Sequence, residues 1–403
     1  MPAGRSRWIL CWLLFGASAL SFLDRQVLSV LAPTVTAEFA MTNTEYSRVV
    51  SAFVLSYTVM FTLGGRMMDR IGTRLGMSLA VGLWSIASGA HALVYGALGL
   101  GAARFFLGIG EGACFPGVTK GAVEWFPIEQ RVLAIGIANG GSSFGAALAP
   151  PLTSWVTSWF GWRGAFLATG TLGLIWVAVW LAVCRRGSPE GTPTPAAAAI
   201  PMKSLLRRPD VWRVLGARSV FDPVFYFFMF WIPQYLSRER GFSLKQIGAW
   251  FWMPFLALGI SNILSGKLSD ALVARGWAPL KARAVLMTVA AFGMTAIWLT
   301  PAAPDEKWAI AAMSAVMAAH GLWITNFLGL LGDRFPANTI ATVTGLTGTS
   351  GGLTGALSGL CIGPVVDRYG FRPLFLAAGL AYLFALLLLP FRNARPPEMR
   401  LSK

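Results

Sequence analysis

Long runs without any charged side chain recur along the whole sequence, and they restrict the possible fold more than any other feature. Asp, Glu, Lys and Arg make up only 12% of the 403 residues, whereas 55% are hydrophobic. A soluble protein with so little charge could not cover its surface with polar groups. The uncharged runs, each long enough to cross a bilayer at least once, are 75–103, 132–162, 164–184, 246–266, 284–304, 308–332, 335–366 and 373–391.

Twelve membrane-spanning helices account for these runs. The longer runs divide at turn signals such as Tyr95-Gly96 and Gly161-Trp162. Three further spans lie near 8–32, 49–65 and 214–236. An even number of spans places both termini on one side of the membrane, and Lys and Arg are concentrated in the loops of that side, which is typical of the cytoplasm. We therefore predict an all-α membrane protein whose two termini are both cytoplasmic.

The two halves of the chain carry similar motifs in the same order. GRMMDRIG at 65–72 has a counterpart in GKLSD at 266–270, and GWRGAF at 161–166 corresponds to GFRPLF at 370–375. Such internal repeats are typical of transporters built from two bundles. A Pro-, Gly- and Ala-rich stretch between the halves indicates a linker. We predict three regions: an amino-terminal six-helix bundle at 1–185, a cytoplasmic linker at 186–211 and a carboxy-terminal six-helix bundle at 212–403.

Charge and cysteine content argue against several other classes of protein. The net charge of +16 is explained by cytoplasmic loops and by attraction to anionic lipid, so we expect no nucleic-acid partner. The 4 cysteines have no paired or metal-like spacing, and we expect neither a metal nor a cofactor. The first apolar stretch resembles a cleavable signal peptide, but its removal would leave eleven spans. We therefore treat that stretch as the first span. We also expect the protein to function as a monomer.

One loop carries a family resemblance. Gly65, Asp69, Arg70 and Gly72 fit the G-x-x-x-D-R-x-G-like loop between the second and third spans of the major facilitator superfamily, and Asp270 occupies the repeated position. The resemblance implies a tight cytoplasmic turn whose charges pair across the two halves and separate when the halves rock. We predict that these residues form a conformational switch.

Further motifs narrow the resemblance. FLDRQ at 22–26, ARFFLGIGEGACFPG at 103–117, EWFP at 124–127 and GSSFGAALAPP at 141–151 resemble, in that order, the anion:cation symporter family. RSVFDPVFYFFMFWIPQYL at 218–236 resembles the hexuronate and sugar-acid branch of that family. The resemblance implies proton-coupled movement of an organic anion. An arginine of the first span, Arg25, would hold the substrate carboxylate, and acids of the first and fourth spans, Asp24 and Glu111, would take the proton.

Six ionisable side chains other than histidine lie inside the predicted spans. A charge at the bilayer centre costs about 2.5 to 3.5 kcal/mol on insertion scales, so we expect these groups to surround a polar cavity rather than face lipid. They are Asp24, Arg25, Arg104, Glu111, Arg218 and Asp222. Arg218 and Asp222 are spaced i, i+4, which favours a pair that neutralises itself.

The helical positions of the other four charges predict specific partners. Arg104 and Glu111 are two turns apart, so both project from one face of the fourth span. Asp24 has a depth similar to that of Arg104, and we predict an ion pair between them. We also count Arg104 among the predicted substrate-binding residues. Arg25 points about 100° away from Asp24, which leaves it either as a cavity cation suited to a carboxylate or as a side chain that snorkels to the interface.

Glu111 is the predicted proton carrier, because no opposite charge lies within one turn of it on its own helix. Tyr57, Ser142 and Ser143 are candidates for contacts with substrate hydroxyl groups, although each residue type also occurs at helix contacts. His320 is either a second proton carrier or a hydrogen-bonded core histidine.

The sequence therefore predicts a proton symporter of the inner membrane that imports a sugar acid by alternating access. Its partners are a small organic anion, a proton and the lipid bilayer. The same fold carrying an aromatic or short-chain monocarboxylate is the alternative. An intramembrane serine hydrolase is a remote alternative. GSSFG at 141–145 and GTSGG at 348–352 match the G-x-S-x-G motif, but both lie inside predicted spans.

Overall fold

The protein is entirely helical over the residues that the computed structural model describes, which are 4–126, 128–184, 202–335 and 337–391, and these contain no β-strand. Most of the predicted linker, 186–201, lies outside the described residues. The helices are α1 (Gly4–Glu38), α2 (Asn43–Ala90), α3 (Ala97–Gly112), α4 (Cys114–Trp125), α5 (Ile128–Val183), α6 (Met202–Leu206), α7 (Pro209–Arg238), α8 (Leu244–Trp250), α9 (Trp252–Ala274), α10 (Pro279–Met294), α11 (Leu299–Ala302), α12 (Glu306–Arg334), α13 (Ala337–Tyr369) and α14 (Arg372–Leu388).

Eight stretches of these described helices are long and apolar enough to cross a membrane. Leucine, isoleucine and tryptophan side chains on their outer faces are widely exposed, for example Leu98 and Trp159. In water such a surface would be unfavourable, whereas in a bilayer it is the expected solvent contact. The fold is therefore that of a multi-pass membrane protein.

Two glycines break the longest helices. Gly72 in α2 has φ 77° and Gly161 in α5 has φ 68°, a left-handed conformation that glycine adopts without steric cost. At Gly161 the chain reverses direction, because Trp162 bonds to Glu38 at the end of α1 while Trp176 bonds to Leu13 near its start. Each bend therefore separates two helical segments, and Gly72 belongs to the predicted switch loop.

Glycines in α5 allow the first segment of that helix to lie directly against α1. A Cβ atom on Gly141 would overlap the carbonyl oxygen of Phe15, and one on Gly145 would overlap that of Ala19. The GSSFG motif is thus a helix-packing stripe. It lies in the interior of a helix and does not form the strand-to-helix elbow that a serine hydrolase of that type requires.

The two halves of the chain meet where α1, α2 and α5 contact α7, α8, α9 and α13. Asp367 of α13 accepts hydrogen bonds from the backbone N–H groups of Asn43 and Thr44, at 3.2 and 2.9 Å, and so caps the first turn of α2 from the opposite half. Further along the same contact, Thr62 and Thr349 are 3.2 Å apart. The interface brings polar side chains of both halves to one central region.

Candidate functional site

Arg25 and Glu111 form a buried ion pair at the centre of the amino-terminal half. Nε of Arg25 donates to Oε2 of Glu111 at 2.6 Å, and the two side chains are only 5% and 0% exposed. Ser21, one turn before Arg25, donates to the same carboxylate oxygen at 3.1 Å and accepts from Nη2 of Arg25 at 3.2 Å. The other oxygen of Glu111, Oε1, has no hydrogen-bond partner among the described residues.

Aromatic rings surround the Arg25 guanidinium on its remaining sides. Its Cζ atom lies 4.2 Å from the ring centroid of Tyr57, 4.5 Å from that of Phe22 and 5.5 Å from that of Phe53. Such contacts stabilise a cation that is removed from water. Arg25 therefore does not snorkel to the interface but is enclosed in the protein interior.

The prediction that Glu111 has no partner of opposite charge is wrong. Glu111 does have a partner, Arg25, which reaches it from α1 rather than from its own helix. The prediction that Arg104 and Glu111 share one helix face is confirmed, because both contact Arg25: Nη2 of Arg104 donates weakly to the Arg25 carbonyl oxygen at 3.5 Å. The proton-carrying role of Glu111 and the substrate-binding role of Arg25 remain predictions.

Asp24 faces away from Arg25, as the helix geometry requires, but its partners are not the predicted ones. Its Oδ1 accepts from the hydroxyl group of Ser88 at 2.7 Å, and Ser88 lies 2.9 Å from Thr169. Among the described residues Asp24 forms no ion pair with Arg104. The side chain of Asp24 is only 1% exposed, so it is enclosed between α1, α2 and α5.

Arg104 is consequently a central cation that forms no ion pair with a carboxylate among the described residues. It is 1% exposed, its Nε and Nη1 atoms have no partner among the described residues, and its Cζ atom is 5.7 Å from the Phe53 ring. Donors left unsatisfied at such burial are costly. An anion that reached this region would gain these hydrogen bonds.

The carboxy-terminal half contributes a second ion pair. Nε of Arg218 donates to Oδ2 of Asp222 at 2.9 Å, and Nη1 donates to Thr347 at 3.2 Å. The predicted self-neutralising pair is confirmed. Tyr226, one turn beyond Asp222, stacks on Phe230, and Phe230 contacts the Phe53 ring beside Arg25. The two ion pairs therefore flank one shared region between the halves.

The remaining predicted binding residues have local partners. Ser142 donates to the carbonyl oxygen of Asn139 in its own helix at 2.7 Å, and Ser143 packs against Gly259 of α9. Both geometries fit helix-contact residues. His320 lies beside Tyr382, with Nδ1 2.5 Å from the phenol oxygen, and stacks on Phe225.

The predicted switch residues lie at one end of the bundle. Gly65 is within α2, Arg70 is exposed, Gly72 forms the bend described above, and Asp270 is an exposed residue of α9. The side chain of Asp69 lies outside the described set. The structure describes no ion pair across the halves from Arg70 or Asp270, and the switching role stays a prediction.

Several residues of the site were not predicted from the sequence. Ser21 lies one turn before Arg25, a spacing that could have indicated a shared face. Ser88 and Thr169, the partners of Asp24, are single small polar residues in apolar helices, and no sequence signal separates them from others of their kind.

Known proteins of one family resemble this chain over most of its length. The family model described as Major Facilitator Superfamily matches residues 14–359. A hexuronate transporter of Escherichia coli K12 is 30% identical over 389 residues, which cover 92% of this chain and 90% of that protein. A D-galactonate transporter of E. coli O6:H1 is 27% identical over 412 residues, covering 96% and 94%.

The solved structures include one of the same fold. It is a bacterial homologue of the human lysosomal transporter Spinster, in an inward-facing and occupied conformation, with a TM-score of 0.77, 18% identity and coverage of 96% of this chain and 95% of that one. The relatives and the fold are those of membrane transporters, not enzymes. The chain thus belongs to the major facilitator superfamily, and it is a multi-pass membrane transporter.

Proposed function

We propose that the protein imports a sugar acid together with a proton across the inner membrane, by alternating access between two six-helix halves. The bends at Gly72 and Gly161 divide α2 and α5 into two spans each. This division supports the twelve-span arrangement with cytoplasmic termini. The names of the relatives, among them hexuronate, galacturonate and D-galactonate transporters, support a hydroxylated carboxylate as the cargo.

The observation that carries the proposal is the buried Arg25–Glu111 pair. Its geometry, 2.6 Å inside an aromatic enclosure, means that Arg25 has a carboxylate ligand before any substrate arrives. A substrate carboxylate can take that place with the same charge-assisted hydrogen bonds. Arg25 therefore acts as the point at which one carboxylate is exchanged for another.

Displacement of Glu111 provides the coupling. A carboxylate that loses its partner in a desolvated site is strongly unfavourable as an anion, and Oε1 is already free to take a proton. The loaded site then holds the Arg25 cation, the substrate anion and a neutral Glu111, so its net charge equals that of the empty site. On release of the substrate Glu111 returns to Arg25 and gives up the proton.

Proteoliposomes with an acidic exterior should accumulate at least one sugar acid above its external concentration. The accumulation follows because inward movement of the anion is tied to inward movement of a proton. The measurement is uptake of radiolabelled hexuronates, aldonates and aldarates, with aromatic and short-chain acids for comparison. Collapse of the pH gradient by an ionophore should abolish it, whereas accumulation driven by sodium alone would contradict the proposal.

A further inference from the structure

His320 occupies a position in α12 that faces the interior between the helices. Ile324 and Leu328 follow it by one and two turns on the same side of the helix, and Leu328 is 44% exposed although it lies opposite the outer stripe that contains Trp308 and Ala315. Neighbouring helices therefore do not cover this side of α12 completely at Leu328. His320 itself is nearly buried, with 5% of its surface exposed.

The ring of His320 is held in one orientation. Its face stacks on Phe225 of α7, with centroids 4.6 Å apart and an interplanar angle of 13°, and its Nδ1 atom is bonded to the hydroxyl group of Tyr382 in α14. Tyr382 is fully buried, and among the described residues its hydroxyl group has no other acceptor. The phenol O–H therefore donates to Nδ1, and this fixes the tautomer that carries its proton on Nε2.

The Nε2–H group is then a donor with no partner among the described residues. The Nε2 atom is not completely buried but retains accessible surface. Phe225, on which the His320 ring stacks, follows Arg218 of the second ion pair by two turns of α7, and that pair lies across the shared region from Arg25. A substrate whose carboxylate is bound at Arg25 would extend its other end toward this half.

We propose that His320 recognises a hydroxyl group of the transported sugar acid by donating Nε2–H to the hydroxyl oxygen, and that Tyr382 positions the ring for this contact. The inference rests on the proposed function, and it specifies the cargo as a polyhydroxylated carboxylate rather than an aromatic or short-chain acid. His320 acts as a specificity residue in this account, not as a proton carrier.

A series of mono-deoxy analogues tests the contact. Counterflow of a transported sugar acid is measured in proteoliposomes without any gradient, in competition with its deoxy derivatives. In the wild type one deoxy acid should inhibit about tenfold less well than the parent, because a donor built to meet a hydroxyl group is left unpaired. In His320→Phe, which keeps the stacking on Phe225, the parent acid should inhibit about tenfold less well than it does in the wild type. Inhibition by that deoxy acid should be unchanged.

Two substitutions separate recognition from general damage. His91→Phe is the matched control, since His91 is also buried and stacked on a phenylalanine, Phe166, at 4.7 Å, but lies in the other half; it should keep the wild-type selectivity. His320→Gln retains an N–H donor and should restore part of the selectivity. Tyr382→Phe should reduce it, which provides a test even if His320→Phe fails to insert.

The outcomes distinguish this inference from the proposed function. If the wild type transports no sugar acid, the proposed function itself is wrong. If it transports one, but His320→Phe shows the same difference in inhibition between the parent acid and each deoxy acid as the wild type shows, the recognition by His320 is disproved. Equal inhibition of the wild type by all deoxy acids and the parent would disprove it as well.

Discussion

Replacement of Glu111 by glutamine should abolish proton-driven accumulation of the sugar acid and leave counterflow intact. Glutamine has the shape of the protonated acid and cannot lose a proton, so the carrier is fixed in the form that accepts substrate at Arg25. The loaded carrier can still change conformation, which is all that exchange without a gradient requires. Under an acidic exterior the internal concentration should rise only to the external one. Both assays use the same proteoliposomes, which makes their ratio independent of the amount of inserted protein.

Glu38→Gln is the matched control for this substitution. Glu38 also accepts from an arginine, Arg163, at 2.7 Å, but that pair is exposed, at 35% and 40% of the two side chains, and lies at the end of α1. Its loss should change neither assay, because exposed ion pairs contribute little. If Glu111→Gln loses counterflow together with accumulation, Glu111 has a structural role. If both assays persist, the proton is carried elsewhere, with Asp24 the next residue to test.

Replacement of Arg25 by lysine should weaken substrate binding about tenfold or more, while the protein remains correctly inserted. Lysine keeps the charge but loses the planar fork that meets a carboxylate with two hydrogen bonds, and charge-assisted bonds of this kind contribute about 1.5 to 3 kcal/mol. It also stacks less well on Tyr57 and Phe22. Calorimetric titration of the purified protein with the transported acid gives the dissociation constant directly.

Arg163→Lys is the corresponding control, since Arg163 has a similar set of contacts. It bonds to Glu38 at 2.7 Å and lies 4.2 Å from the Trp162 ring, close to the values for Arg25, but at an exposed position. Binding should be unchanged there. An unchanged dissociation constant in Arg25→Lys, with the control also unchanged, would remove Arg25 from the substrate site.

The sequence predicts the helical class and the repeated halves because both depend on local pattern. Charge-free runs of spanning length and repeated loop motifs can be read without any tertiary contact. The shared face of Arg104 and Glu111 was predictable for the same reason, since seven residues make two turns of one helix. The family could be recognised because its motifs occur in the expected order and spacing along the sequence.

The partners of the charges were not predictable in the same way. Depth in the membrane follows from position along a helix, and it placed Asp24 level with Arg104. The rotation of α1 about its axis depends on its packing against α5, where glycines meet its backbone, and that rotation directs Asp24 to Ser88 and Arg25 to Glu111. Counting opposite charges within one helix could not find a partner that comes from another helix.

The most direct test of the exchange at Arg25 is to count protons and sugar acid together. Proteoliposomes are clamped at zero membrane potential with potassium and valinomycin, and uptake of the labelled acid is recorded beside the external pH. If the substrate displaces Glu111 and Glu111 takes a proton, the external medium should become alkaline by one proton for each carboxylate that enters, and Glu111→Gln should exchange the acid without any pH change. Entry of the sugar acid into wild-type vesicles with no alkalinisation would contradict the account.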